Sequence, residues 1–286
     1  MLIDAHQHVN WLGRDVHKLV ADMDEVGIDK CWLLTWECHR DEMTESDIRL
    51  MFSPHGHGLP LADVIEAARL YPKRIIPFYA PHPKKRTALS DLRQAVEMFG
   101  IRGCGEFKFR ICFDDPDAVA LYNLCSELAL PVLFHMDVPL PRHKPMKEWQ
   151  PWYCYDIDAL ERVLKRFPKV NFVGHGPGFW REISGDADES PDVYPKGKIV
   201  SGGKLIRLLR EYANLYADIS AASGYNALTR DIEFGRKFVI EFQDKVLFGR
   251  DFFGVKHIQL LRQLDLPKAV FEKIAWKNAA RLVPIE

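Results

Sequence analysis

Short apolar runs rich in β-branched and aromatic residues alternate eight times with helical patterns, and no other feature constrains the fold as strongly. The runs are Leu2–Val9, Lys30–Glu37, Arg74–Ala80, Ile101–Ile111, Pro131–Asp137, Lys169–Gly174, Asn214–Ser220 and Lys245–Phe252. Between them lie helical stretches such as Asp15–Val26, Ala62–Leu70, Ser90–Phe99, Pro116–Leu128, Asp156–Phe167, Lys204–Tyr212 and Thr229–Phe242, and a tail from Lys256 to Leu282 supplies the last. Leu160, Val163, Leu164 and Phe167 show the spacing of one helical face, with Asp156 and Asp158 as helix-start residues. Eight β/α units in one chain of 286 residues predict an α/β fold, a single (β/α)8 TIM barrel forming one domain over 1–286. A doubly wound open sheet is the rival. It usually has fewer strands, and its Gly-x-Gly-x-x-Gly phosphate turn is missing here.

Three connections exceed ordinary βα loops: Cys38–Pro60, Val138–Tyr155 and Gly176–Gly203. Loops of such length are functional or poorly packed. All three follow strands, so a barrel puts them at its C-terminal mouth, as walls of a substrate pocket. The second carries Pro139, Pro141, Trp149, Pro151, Trp152 and Tyr153, and the third is acidic at Asp186, Asp188, Glu189 and Asp192.

Composition excludes several classes. Lys and Arg number 39 against 40 Asp and Glu, a net charge of -1, and no long basic run is present. That balance argues against a nucleic-acid partner. No apolar run approaches the ~20 residues that span a bilayer, so no membrane partner is expected. Met1-Leu2-Ile3-Asp4 leads directly into an apolar, motif-bearing stretch without a basic leader. The six cysteines (Cys31, Cys38, Cys104, Cys112, Cys125, Cys154) form no Cys-x-x-Cys pair. Reduced thiols in a cytoplasmic protein are the simplest expectation. The expected partners are a small-molecule substrate and, as a homodimer, a second copy of the chain.

The chemistry gathers at the ends of the runs. His6 and His8, in Asp4-Ala5-His6-Gln7-His8, share one strand face because side chains alternate. Two such imidazoles can chelate one divalent ion. A second His-x-His, His55-Gly56-His57, lies among Ser53, Pro54, Gly58 and Pro60 and reads as loop. Strand five, within run five, reads Pro-Val-Leu-Phe-His135, run six is followed by His175, and run eight reads Val-Leu-Phe-Gly-Arg250-Asp251. Any one buried His or Asp is more often structural than a ligand. His, His, His and Asp at four strand ends, in this order, make coincidence improbable.

This pattern resembles the amidohydrolase superfamily, in the amidohydrolase-related branch that includes aminocarboxymuconate-semialdehyde decarboxylase. The matching residues are His6 and His8 on strand one, His135 on strand five, His175 on strand six and Asp251 on strand eight. The close Asn278-Ala279-Ala280-Arg281-Leu282 is similar to the branch's ending. The resemblance spans essentially the whole chain and specifies the superfamily, not one substrate.

It implies a divalent metal, expected to be zinc, held by His6, His8, His135 and Asp251. One ion is the favoured stoichiometry and two the alternative. Coordination would lower the pKa of a bound water toward ~7. Asp251 would also shuttle the water's proton, while His175 would polarise a carbonyl, act as acid or base, or bind a second ion. Asp4 is expected to orient an imidazole.

Strand four leaves three readings open. Cys104, Glu106, Lys108 and Arg110 share a face by period two. Glu106 could bind a second metal, as a strand-four acid does in binuclear relatives, contact substrate, or pair internally with Lys108. Lys108, Arg110 and Arg250 are candidates to hold a carboxylate, although alternation turns Arg250 away from Asp251 and out of the barrel. His82, Trp11 and Trp36 follow strands three, one and two, where they could touch a substrate or serve as packing.

Two activities fit this set. The first is a metal-dependent hydrolase of an ester, lactone or amide of a small organic acid. The second is a metal-dependent nonoxidative decarboxylase of an aromatic or unsaturated acid. A non-catalytic metal-binding barrel and a TatD-like nuclease fit less well, the first because acid/base types accompany the ligands, the second because no basic stripe exists.

Overall fold

The computed structural model describes residues 1–37, 58–138, 153–189 and 192–285. Most of the first two long connections lies outside the described residues. So do Cys38, His55-Gly56-His57, Pro139, Pro141, Trp149, Pro151 and Trp152.

Eight parallel strands follow one another: β1 (Ile3–Gln7), β2 (Lys30–Leu33), β3 (Ile75–Pro77), β4 (Cys104–Phe107), β5 (Val132–His135), β6 (Phe172–His175), β7 (Leu215–Asp218) and β8 (Val246–Leu247). They pair in sequence order, β1 to β3 as one set and β4 to β8 as another. Backbone hydrogen bonds cross both seams. Arg102 N and Tyr79 N donate to Pro77 O and Gly103 O, and Ala5 N and Asp251 N donate to Phe248 O and His6 O, all at 2.9–3.0 Å. The ring is thereby closed as the α/β barrel predicted from the alternation.

The strands are shorter than the apolar runs, because each run includes the buried turn that leaves its strand. Run two divides. Its end, Trp36–Glu37, pairs antiparallel with Gly58–Leu59 at the mouth. The predicted helix Thr229–Phe242 is the helix Ile232–Glu241, which starts at Asp231 because that side chain caps it, and a separate helix, Ala221–Thr229, precedes it where no helical stretch was expected. The same chemistry starts the helices Val16–Val26 and Ile157–Arg166, where Asp15 and Asp156 accept from the third residue onward. Gly27, at φ 81°, ends the first of these in the left-handed region that suits glycine.

Ala5, Trp32, Leu34, Phe78, Leu133, Val173 and Leu247 fill the lumen. A larger apolar layer lies between strands and helices. All five described cysteines are free. Among the described residues no helix is long and apolar enough to cross a membrane.

Two β-bulges aim the mouth. In β1, Asp4 pairs with Cys31 but Gln7 with Leu33, so three steps face two. In β4, Cys104 pairs with Val132 but Phe107 with Phe134. Each extra residue lets two successive positions face inward. Ala5 lies in the lumen, yet His6 and His8 still point into the mouth. Cys104 belongs to the outer layer, which corrects the expectation that it shares a face with Glu106. Gly105 makes room for its bulge, since a Cβ there would lie 3.2 Å from the Leu133 Cβ.

Candidate metal centre

His6, His8, Glu106, His135, His175 and Asp251 come from five strand ends and converge. His6 Nε2 lies 3.6 Å from Asp251 Oδ1 and 3.9 Å from Glu106 Oε1. His8 Nε2 lies 3.5 Å from Asp251 Oδ1 and 3.4 Å from Glu106 Oε2. His135 Nδ1 is 3.2 Å from Glu106 Oε1, and His175 Nε2 is 3.7 Å from Asp251 Oδ2. Asp251 holds its place with a left-handed backbone, φ 54°, which aspartate tolerates better than most residues.

The imidazoles are oriented from outside the cage. His6 Nδ1 donates to Asp218 Oδ2 at 2.7 Å, and His8 Nδ1 donates to the Leu34 carbonyl at 2.9 Å. Both Nε2 lone pairs therefore face inward. His6 Nε2 and both nitrogens of His135 are buried without a hydrogen-bond partner. Buried polar atoms are rarely left so, and the inward Nε2 atoms of His6 and His8, with one acceptor nitrogen from His135, beside two carboxylates have the chemistry of a divalent-cation site. Two trios sharing no residue, His6/His8/Asp251 and Glu106/His135/His175, each bring three ligand atoms within 4.8 Å of one another. The residues present thus fit a divalent metal.

Electrostatics agree with convergence. Burial pulls the His6 pKa down, but Asp251, Asp218 and Glu106 outweigh it and lift it to about 9. Burial dominates at His175 and, with His6 and His135 nearby, holds it well below the usual histidine range. Burial raises Asp251 despite His6 and His8. Glu106 moves the other way, because Lys108 and the imidazoles overcome its burial and keep it ionised.

Two sequence readings need correction. Asp4 does not orient an imidazole through its side chain. Its carboxylate accepts from the Arg250 backbone and guanidinium, from Gln7 and from His6 N. The imidazole-orienting acid is Asp218, which sequence reasoning missed along with Ser220. The available signal was an acid near the end of run seven, as Asp251 stands near the end of run eight. Of the three readings open for Glu106, the internal pair with Lys108 is not a contact ion pair. The Lys108 ammonium instead lies 3.9 Å over the Trp36 ring and 5.5 Å from that of Tyr153. It still acts on Glu106 through space.

Trp11 joins this wall, 5.9 Å from the His8 ring and 6.0 Å from that of Trp36. Arg110 faces Tyr153 at 5.4 Å. His82 is buried against Phe109, with ring centroids 4.9 Å apart. Arg250 points out of the barrel as expected, but it is buried there between Asp4 and Asp22.

The amidohydrolase family model matches residues 3–285. No curated protein sequence matches the chain. Several solved structures share its fold. A 5-carboxyvanillate decarboxylase from Sphingomonas paucimobilis is 16% identical with a TM-score of 0.64, over 100% of this chain and 99% of that one. A dihydroxybenzoic acid decarboxylase from Polaromonas sp. JS666, with bound manganese and 2-nitroresorcinol, is 17% identical with a TM-score of 0.60, over 98% and 96%. A probable 2-pyrone-4,6-dicarboxylic acid hydrolase from Acinetobacter baumannii is 14% identical with a TM-score of 0.61, over 98% of each chain.

Proposed function

The chain belongs to the amidohydrolase family, and on that premise we propose that this enzyme is a metal-dependent hydrolase of an ester, lactone or amide of a small organic acid. The observation that carries the reading is the seat of Glu106. Its carboxylate stands between His8 and His135 rather than against Lys108, so it is available as a ligand. His6, His8, His135 and Asp251 would hold one divalent ion, with zinc the expected one, and Glu106 would join them as a further ligand. When bound, such an ion supplies Lewis acidity that favours ionised water and a polarised carbonyl at neutral pH.

The remaining work falls to side chains. Asp251 accepts a proton at a carboxylate oxygen, and its burial-raised pKa suits passing that proton on. His175 Nε2, aimed at Asp251, exchanges a proton with the reacting group. Lys108 and Arg110 attract the carboxylate of the organic acid, while Trp11 and Trp36 exclude water from one side.

The same wall of aromatic rings and an ammonium also suits a flat aromatic acid. That favours a second reading, nonoxidative decarboxylation, the activity named for two of the structures of similar fold. A screen of lactones, esters, amides and aromatic acids with zinc- and manganese-loaded protein separates the two. Acid release without carbon dioxide supports hydrolysis, and carbon dioxide release from an aromatic acid replaces it with decarboxylation.

A further inference from the structure

We infer that Ser220 is a positioning residue that fixes which nitrogen of His175 carries the permanent proton, and that Asp218 ties this choice to the orientation of His6. The inference rests on the reading of His175 as the proton-exchanging group and names the device that prepares it.

Three distances decide the donors. Ser220 Oγ lies 2.7 Å from Asp218 Oδ2, 2.8 Å from His175 Nδ1 and 3.3 Å from His6 Nδ1. A carboxylate only accepts, so the single hydroxyl proton goes to Asp218. The serine oxygen is then left as an acceptor, and His175 Nδ1 must be the donor to it. This holds whether the ring is neutral or charged. Nε2 is therefore the nitrogen that gains and loses a proton, and it is the one facing Asp251. Asp218 Oδ2 also takes the His6 Nδ1 proton at 2.7 Å. One buried oxygen thus sets a metal-facing imidazole directly and the proton-exchanging imidazole through one hydroxyl. Asp218 and Ser220 are both fully buried, so water does not compete for these bonds. The Ser220 backbone N also donates to Asp218 Oδ1 at 2.9 Å, which keeps the two side chains in register.

The test is long-range 1H–15N spectroscopy of histidine-labelled, zinc-loaded protein, with His175 signals identified by their loss in His175→Asn. The parent is expected to show His175 protonated at Nδ1. Ser220→Ala is expected to let the proton exchange between both nitrogens. Its zinc content should stay within twofold of the parent, while hydrolysis of 4-nitrophenyl acetate falls 10–100-fold through kcat, the usual scale for such outer partners. Asp218→Asn should add a loss of zinc affinity of tenfold or more. A parent His175 protonated at Nε2 overturns the inference. So does a Ser220→Ala variant with the parent spectrum, or one that loses zinc as Asp218→Asn does. The spectra need no substrate, so failure of the ester probe in the parent counts against the hydrolase reading alone.

Discussion

The Oε2 atom of Glu106 stands 3.4 Å from His8 Nε2, and its Oε1 stands 3.2 Å from His135 Nδ1. One carboxylate therefore spans the two sides of the imidazole cage. A group placed so is expected to take part in holding the ion. Glu106→Gln should weaken zinc binding by at least about tenfold, measured by competition with a chelator. His175→Asn should keep the parent's zinc content and lose turnover. Two equivalents in the parent, falling to one in both variants, would mean that the second trio also binds an ion.

Gly249 is a steric requirement of the site. A Cβ there would lie 2.3 Å from Asp218 Oδ1 and 3.1 Å from His6 Cβ. Gly249→Ala is expected to push the carboxylate away from His6 and cut both zinc affinity and turnover. The far-ultraviolet circular dichroism should stay that of the parent. Parent-like zinc affinity in this variant would show that the Asp218–His6 contact has slack.

Glu182 predicts a pH-dependent stability. It is 8% exposed, and burial lifts its pKa to about 7, more than Lys204 and Arg181 lower it. The folded protein then binds a proton that the unfolded chain releases at the ordinary glutamate value of 4.5. Stability from this group falls as pH rises between those values, by roughly 3 kcal/mol in total. Glu182→Gln should gain stability relative to the parent between pH 5 and 8. Urea titrations across that range would show no such divergence if the carboxyl is in fact well solvated.

Arg250 Nε lies 2.6 Å from Asp4 Oδ2, and Nη1 lies 2.7 Å from Asp22 Oδ2. Removing a partner from a buried network leaves uncompensated charge, typically ~3–5 kcal/mol. Arg250→Met is expected to lose stability on that scale in urea unfolding. A loss under about 1 kcal/mol would mean that water reaches Asp4 and Asp22 without the guanidinium.

Much of this protein is legible from local pattern. The alternation of β-rich and helical stretches announced the closed barrel. The strand-end residues His6, His8, His135, His175 and Asp251 could be named because the C-terminal mouth collects whatever follows each strand. Helix starts at Asp15 and Asp156 were legible for the same local reason. The helix Ala221–Thr229 was missed, and the next was started two to three residues early, because apolar spacing alone does not locate the cap at Asp231.

The sequence by itself determined what depends on near neighbours: the period of each element, the order of the strands and the residue types at their ends. Tertiary structure alone decided how those ends meet. Bulges in β1 and β4 replace strict alternation, and a bulge is a choice of hydrogen-bond register with the next strand, invisible in either strand alone. That choice sends Cys104 outward and keeps His6 in the mouth although Ala5 faces the lumen. Asp4 and Asp218 are both acids on strands, yet one meets a guanidinium behind the sheet and the other an imidazole 212 positions away in the chain. Which acid orients the histidine depends on closure of the ring, which brings the first strand beside the eighth and within reach of the seventh.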